Sequence, residues 1–315
     1  MKKALIIGIN EYPNSPLKGC VNDANAIAGV LAANGDGSPN FSTVVLTSPP
    51  HQLDTSGLRG NIERLFSGSP DVALLYFSGH GYIGSTGGYI VAPDAKQYTM
   101  GVSMDDILTL ANQSKAKDKI VLLDCCHSGA MGTPAVTGGN LASLAEGISV
   151  LTASRDSESA VEIGGKGIFT SLVVDALQGG AADLRGQITP GSIYAYVDQA
   201  LGPWDQRPIF KTNVSRFTSL RSIPPRVPTD TLRKLCVYFP KAQDEHTLDP
   251  SYEETEKSAN PDKVRILKDL QKFVSVGLVV PVGEEHMYYA AINSKSCRLT
   301  ALGFQYWRLV NERKL

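Results

Sequence analysis

The chain of 315 residues carries almost no excess charge of either sign: 30 lysines and arginines stand against 31 aspartates and glutamates, a net of −1. A protein that coats a polyanion is strongly basic, so this balance does not point to wholesale nucleic-acid binding. Long apolar runs are missing too. The longest, such as VALLYF at 72–77, fall far short of the ~18 residues that a membrane helix needs, and no membrane partner is expected. The N-terminal MKKALIIGIN starts with charge, but Asn10, Glu11 and Pro13 cut its apolar stretch short. With no small-residue cleavage site after it, it reads as a strand rather than a signal peptide. Cysteine is scarce. Five residues, an odd number at irregular spacing, make no disulfide framework and fit a reducing, cytoplasmic setting. No internal repeat is found. A GxxxxGK[ST] phosphate cradle is absent, so IIGIN at 6–10 does not carry a nucleotide-binding reading.

What is present is an ordinary globular composition, 42% hydrophobic with 30 glycines, long enough for about two domains. Short apolar runs recur at 4–9, 43–47, 72–77, 119–124, 147–153 and 207–212, most followed by a loop and a helix-like stretch. Runs without polar alternation suit strands covered on both faces, and their alternation with helices predicts an α/β fold with a mostly parallel sheet. Helices are predicted at 20–34, 103–113, 167–178 and 190–201. The proline-rich IPPRVP at 223–228 divides the chain into domains 1–223 and 224–315. In the second, a helix over DKVRILKDLQKFVSVG, strands LVVPV (278–282) and MYYAAI (287–292) joined through GEEH, and a last helix around LTALGFQYWRLV give the order of a small α+β winged-helix-like domain.

Two strand ends concentrate reactive side chains. VALLYF stops at Ser78-Gly79-His80-Gly81, and KIVLLD stops at Asp124-Cys125-Cys126-His127-Ser128-Gly129. In doubly wound sheets, ligands and catalytic groups gather at this carboxyl edge. A cysteine attacks as its thiolate and needs a base beside it; a histidine on a neighbouring strand end supplies one. A zinc site from His80, Cys125, Cys126 and His127 lacks the CxxC-type spacing that zinc prefers.

YFSGHG and LLDCCHSG, with histidine and cysteine 46 residues apart, resemble the two catalytic segments of the caspase-like cysteine peptidases, closest to the metacaspase and bacterial orthocaspase branch. The resemblance runs from ALIIGINEY through LKGCVNDA to GKGIFTSLVVDAL and RPIF, about residues 1–222. It implies a caspase-haemoglobinase fold with a mostly parallel sheet flanked by helices, and a cysteine endopeptidase working through a Cys-His dyad. It makes His80 the catalytic histidine and Cys126 the nucleophile, with Cys125 a buried neighbour. The amides of Gly81 and Cys126 become the oxyanion donors, each such donor being worth about 3 kcal/mol of barrier. His127, next to the nucleophile on an extended segment, points away from it.

The same resemblance lines the substrate pocket with Cys20, Asp23, Ser78 and Asp124. Two carboxylates in a slot bind a cation, so cleavage is expected after Arg or Lys rather than after Asp. The bland alternative makes Asp23 a helix N-cap and Asp124 a sheet-edge acceptor. No cofactor is expected. Asp94, Asp105 and Asp106 resemble part of a calcium-binding group, yet the aspartate that should follow the nucleophile is replaced by GAMGTPAV. Calcium wants six to eight oxygens, and Asp105 and Asp106 also read as first-turn helix acids. The segment 129–147 contains no Lys or Arg, so an enzyme cutting after basic residues would act as a single chain; Arg155 and Lys166 are the nearest self-cleavage sites. Residues 224–315 carry a net of +2, modest for a DNA reader. Lys263, Arg265, Lys268 and Lys272 mark a helix face that reads as solvated more readily than as phosphate-contacting. Docking of a regulatory protein partner is favoured for this domain over nucleic acid. The rival to the enzyme is a catalytically silent caspase-like scaffold.

Overall fold

The computed structural model describes residues 1–49, 51, 53–84, 87–96, 99–125, 144–153, 162–163, 166–201 and 207–315. The chain forms two compact units: one of Met1–Asp183 with Gln187–Ile223, the other of Leu184–Gly186 with Pro224–Leu315.

In the first unit, β1 (Lys2–Ile9), α1 (Cys20–Ala32), β2 (Phe41–Ser48), α2 (Thr55–Phe66) and β3 (Val72–Ser78) are followed by three short-looped strands, β4 (Gly81–Gly84), β5 (Gly87–Lys96) and β6 (Thr99–Ser103). Then come α3 (Met104–Gln113), β7 (Asp118–Asp124), β8 (Ile148–Thr152), β9 (Glu162–Ile163), β10 (Lys166–Gly167), α4 (Ile168–Asp175), β11 (Gln187–Ile188), α5 (Pro190–Leu201), β12 (Ile209–Asn213) and β13 (Arg221–Ser222). The main sheet has the order β12-β8-β7-β3-β1-β2. Its pairs are parallel except that β12 runs antiparallel to β8.

Side chains alternate between the two faces of a strand, and here both faces are covered. Leu5, Ile7, Leu75, Phe77, Val121 and Leu123 pack with the buried residues of α2 and α3. Their neighbours Ala4, Ile6, Leu74, Tyr76, Ile120 and Leu122 pack with α1, α4 and α5. That double burial is why the strands read as unbroken apolar runs. Two elements go beyond the sequence reading. Helix α2, capped by the Asp54 side chain on the amide of Gly57, has a polar outer face that reads as loop. Strands β4, β5 and β6 form a separate antiparallel sheet.

The second unit contains α6 (Thr229–Arg233), α7 (Leu235–Tyr238), β14 (Glu245–Thr247), α8 (Pro261–Ser275), β15 (Val279–Val282), α9 (Met287–Ile292), β16 (Ser296–Leu299) and α10 (Ala301–Asn311). Its antiparallel sheet has the order β14-β16-β15. The expected strand over MYYAAI is instead helix α9. Met287, Ala290 and Ala291 are buried while Tyr288 and Tyr289 are exposed, an i, i+3, i+4 pattern that belongs to a helix. The partner of β15 is therefore β16, further along the chain. The stripe Val264, Leu267, Leu270 and Phe273 of α8 enters the core. The basic side chains of the same helix face carboxylates: Lys263 meets Asp249 at 2.7 Å, Arg265 Asp262 at 3.1 Å, Lys268 Glu254 at 2.7 Å and Lys272 Asp269 at 3.4 Å. Among the described residues no helix is long and apolar enough to cross a membrane.

Candidate active site

Strand register brings the motif residues to one edge. Ser78 ends β3 directly beside Asp124, which ends β7. Counting alternation along each strand puts both on the face of Tyr76 and Leu122, the face covered by α1 and α4. From α1 comes Asp23, and from α4 comes Thr170; both are buried. Asp23 accepts from the amide of Gly167 at 3.2 Å and from the Ser78 hydroxyl at 3.4 Å. Asp124 accepts from Thr170 Oγ1 at 2.5 Å, and Tyr76 lies 2.5 Å from the same hydroxyl. With the threonine proton committed to the carboxylate, Tyr76 is the donor to Thr170. Burial first, then the charges of Asp124 and Asp23, push its phenol well above the ordinary range and keep that proton in place.

Both carboxylates converge on one point. A Cβ added to Gly167 would lie 2.7 Å from Asp124 Oδ2 and 3.2 Å from Asp23 Oδ2. The N-cap position of α1 is Gly19, and Asp23 sits inside the first turn, so the N-cap alternative for Asp23 does not hold. Asp124 does accept a hydrogen bond at the sheet edge, from a side chain of the helix covering it. Cys20, the first residue of α1, is buried close by. Glycine in β1 permits this approach: a Cβ on Gly8 would meet the carbonyl oxygen of Cys20 at 2.3 Å and the Cβ of Ala24 at 2.7 Å.

His80 follows β3 and is half-buried. Its Nε2 lies 2.7 Å from the carbonyl oxygen of Ser15. A carbonyl only accepts, so Nε2 carries the hydrogen, and Nδ1 is left as the nitrogen that can exchange a proton. Tyr12 fixes the ring further. Its hydroxyl accepts from the His80 amide at 3.0 Å and donates to the Val91 carbonyl at 3.2 Å, while the two rings sit 4.5 Å apart. Burial raises the Tyr12 phenol far above its usual range, so it remains a donor. Neither Tyr12 nor the Ser15 carbonyl was singled out from the sequence. Tyr12 lies within ALIIGINEY, but a backbone oxygen leaves no residue-type signal.

Gly81 begins β4 and pairs with Ile90. The run GHGYIG at 79–84 has the spacing of a dinucleotide loop, but it continues into this hairpin instead of opening a helix. His80 and Gly81 line a cavity of about 530 Å³ together with residues of β5. Cys125 is buried in the core with Tyr12. Cys126, the expected nucleophile, lies outside the described residues, as do His127, Arg155 and residues 129–143 of the expected intact loop. No disulfide joins the four cysteines among the described residues.

The aspartates singled out for calcium are apart in role. Asp94 accepts from the amide and hydroxyl of Thr55, both at 2.9 Å. Asp106 faces Arg59 at 3.7 Å, and Asp105 donates its amide to the Ser103 hydroxyl at the start of α3. Among the described residues no group of three His, Cys, Asp or Glu side chains is arranged to hold a metal.

The family model described as Caspase domain matches residues 1–219. Caspase-1 from Spodoptera frugiperda is similar in structure, with a TM-score of 0.53 at 13% identity over 70% of this chain and 90% of that one. A protein of Geobacter sulfurreducens is aligned over 71% of this chain and 98% of its own, with a TM-score of 0.49 at 16% identity. No curated protein matches the chain.

Proposed function

From a chain that belongs to the caspase family of cysteine peptidases, we propose a working endopeptidase that cuts after Arg or Lys. The observation that carries this reading is the pair of buried carboxylates, Asp23 and Asp124, aimed at one point beside the strand end that delivers His80. Two anions held close repel each other, and an arriving cation offsets both; the planar guanidinium of arginine matches them best. An aspartate side chain would meet like charge from both.

In the proposed reaction, Cys126 Sγ attacks the carbonyl carbon of the arginine, and its proton passes to Nδ1 of His80. The amides of Gly81 and Cys126 hold the oxyanion. The C–N bond breaks as His80 gives the proton to the leaving amine. Water then attacks the thioester, the C–S bond breaks, and the carboxylate product leaves with the thiol restored. No metal enters these steps, and the enzyme acts as a single chain in a reducing, bacterial cytoplasm as a regulatory, defence or cell-death protease.

Residues 224–315 fit a winged-helix-like accessory module that docks a protein partner. The acid-paired basic face of α8 leaves little for phosphate, whereas Val237, Leu302 and Phe304 are exposed. The test is covalent labelling of the full chain with matched peptidyl chloromethyl ketones ending in Arg or Asp. Labelling at Cys126 is expected with the arginine reagent, abolished by Cys126→Ala, and much faster than with aspartate. Equal or faster aspartate labelling would sink the specificity, and no labelling by either would favour the silent scaffold.

A further inference from the structure

The geometry points to a second substrate subsite: we propose that the cavity beyond His80 receives the first residue of the departing peptide, and that this residue is bulky and apolar. The inference rests on the proposed endopeptidase reaction, because that reaction fixes which side of His80 is which. The residue before the scissile bond enters toward Asp23 and Asp124. The amine that leaves is protonated by His80, so the residue bearing that nitrogen lies against the histidine, on the far side from the carboxylates.

A cavity adjoins the histidine. The cavity of about 530 Å³ is lined by His80 and Gly81, by the apolar Val91, Pro93, Ala95 and Met100, and by the polar Asn14 and Ser15. None of the lining residues is Cys20, Asp23, Ser78 or Asp124; it is a separate space that shares the histidine with the reaction. Its volume is in the range of small-ligand pockets and is ample for a leucine or phenylalanine side chain. Its walls also choose the chemistry. Among the described residues the charged groups lining it are Asp94, which accepts from the amide and hydroxyl of Thr55, and Lys96, and both are exposed. A carboxylate or ammonium entering would give up water for a solvent-screened partner at most, whereas an apolar side chain gains by burial.

The test uses the full-length protein and two peptide series, one with Arg and one with Asp before the scissile bond. Each varies the next residue through Gly, Asp, Lys, Leu and Phe, and kcat/KM is read from the products. Leu and Phe are expected to exceed Gly and Asp by about tenfold or more in whichever series is cleaved. Met100→Glu, which sets a carboxylate in the half-buried wall, is expected to reverse the order of Lys and Phe. Because that readout is a ratio within one variant, a general loss of activity does not imitate it. Equal rates for Gly and Phe with cleavage otherwise intact would overturn this subsite and leave the endopeptidase standing. Preference for Leu or Phe only in the Asp series would keep the subsite and overturn the arginine specificity. No cleavage in either series would overturn both.

Discussion

At the scale of single residues, the histidine is defined by what holds it. His80 has its amide on the Tyr12 hydroxyl and its Nε2 on the Ser15 carbonyl, so the tautomer follows from a backbone oxygen rather than from a third acidic side chain. Tyr12→Phe keeps the ring against His80 but removes the group that accepts from the His80 amide and donates to Val91. Two backbone groups lose a partner, which costs about 1–3 kcal/mol of stability. As a positioning residue, Tyr12 is expected to show itself in steady-state kinetics through kcat reduced about tenfold with KM nearly unchanged. A rise in KM alone would assign Tyr12 to substrate binding instead. The motif residues His80, Ser78 and Asp124 were legible because each ends an apolar run at a glycine-flanked turn. Thr170 and Tyr76 were not, since their relay to Asp124 joins side chains from α4, β3 and β7. No local sequence pattern encodes that meeting.

At the scale of elements, parity does most of the positioning. Ser78 and Asp124 share a face because their strands pair in register, and α1 reaches the same face because β1 has a glycine there. Gly8→Ala would set a methyl 2.3 Å from the Cys20 carbonyl oxygen, against backbone that cannot rotate away. The start of α1 must shift, at a cost of about 1–3 kcal/mol, and Asp23 shifts with it. The expected result is a lower midpoint in urea together with a loss of discrimination between Arg and Asp reagents. Unchanged discrimination in a folded Gly8→Ala protein would separate Asp23 from substrate recognition. The strands of the main sheet were readable for the same reason that they position the site: burial on both faces leaves no polar interruption. The β4–β6 sheet was not, because its glycines and Pro93 read as loop. MYYAAI failed in the opposite direction. Its tyrosines favour a strand in isolation, while the buried spacing of Met287, Ala290 and Ala291 decided for a helix.

At the scale of the whole molecule, two units have separate cores, the second formed by Pro224–Leu315 together with Leu184–Gly186. The core of 224–315 is tied to a buried carboxylate: Asp269 sits 2.7 Å from Lys234 Nζ and 2.9 Å from the Tyr238 hydroxyl. Burial pushes its carboxyl up, but Lys234 and Tyr238 outweigh this and hold it below the usual range. Asp249, bonded to Lys263 and Ser251, is drawn down to about 2. A depressed carboxylate stabilises the folded state fully above its unfolded value, about 3.9, and that contribution is lost as pH falls through the folded value. This unit is therefore expected to keep its stability through mildly acidic pH and to lose it between about pH 4 and pH 2. Asp269→Ala removes the partner of a buried phenol and of a lysine that is half in solvent, a loss of about 1–3 kcal/mol. Since the carboxylate belongs to one core, the loss should fall on one unit. Amide exchange in α8 is expected to accelerate in the variant while exchange in β1, β3 and β7 is unchanged. Labelling of Cys126 by the arginine reagent should likewise keep its rate. Faster exchange in both units together would show that the two cores unfold as one.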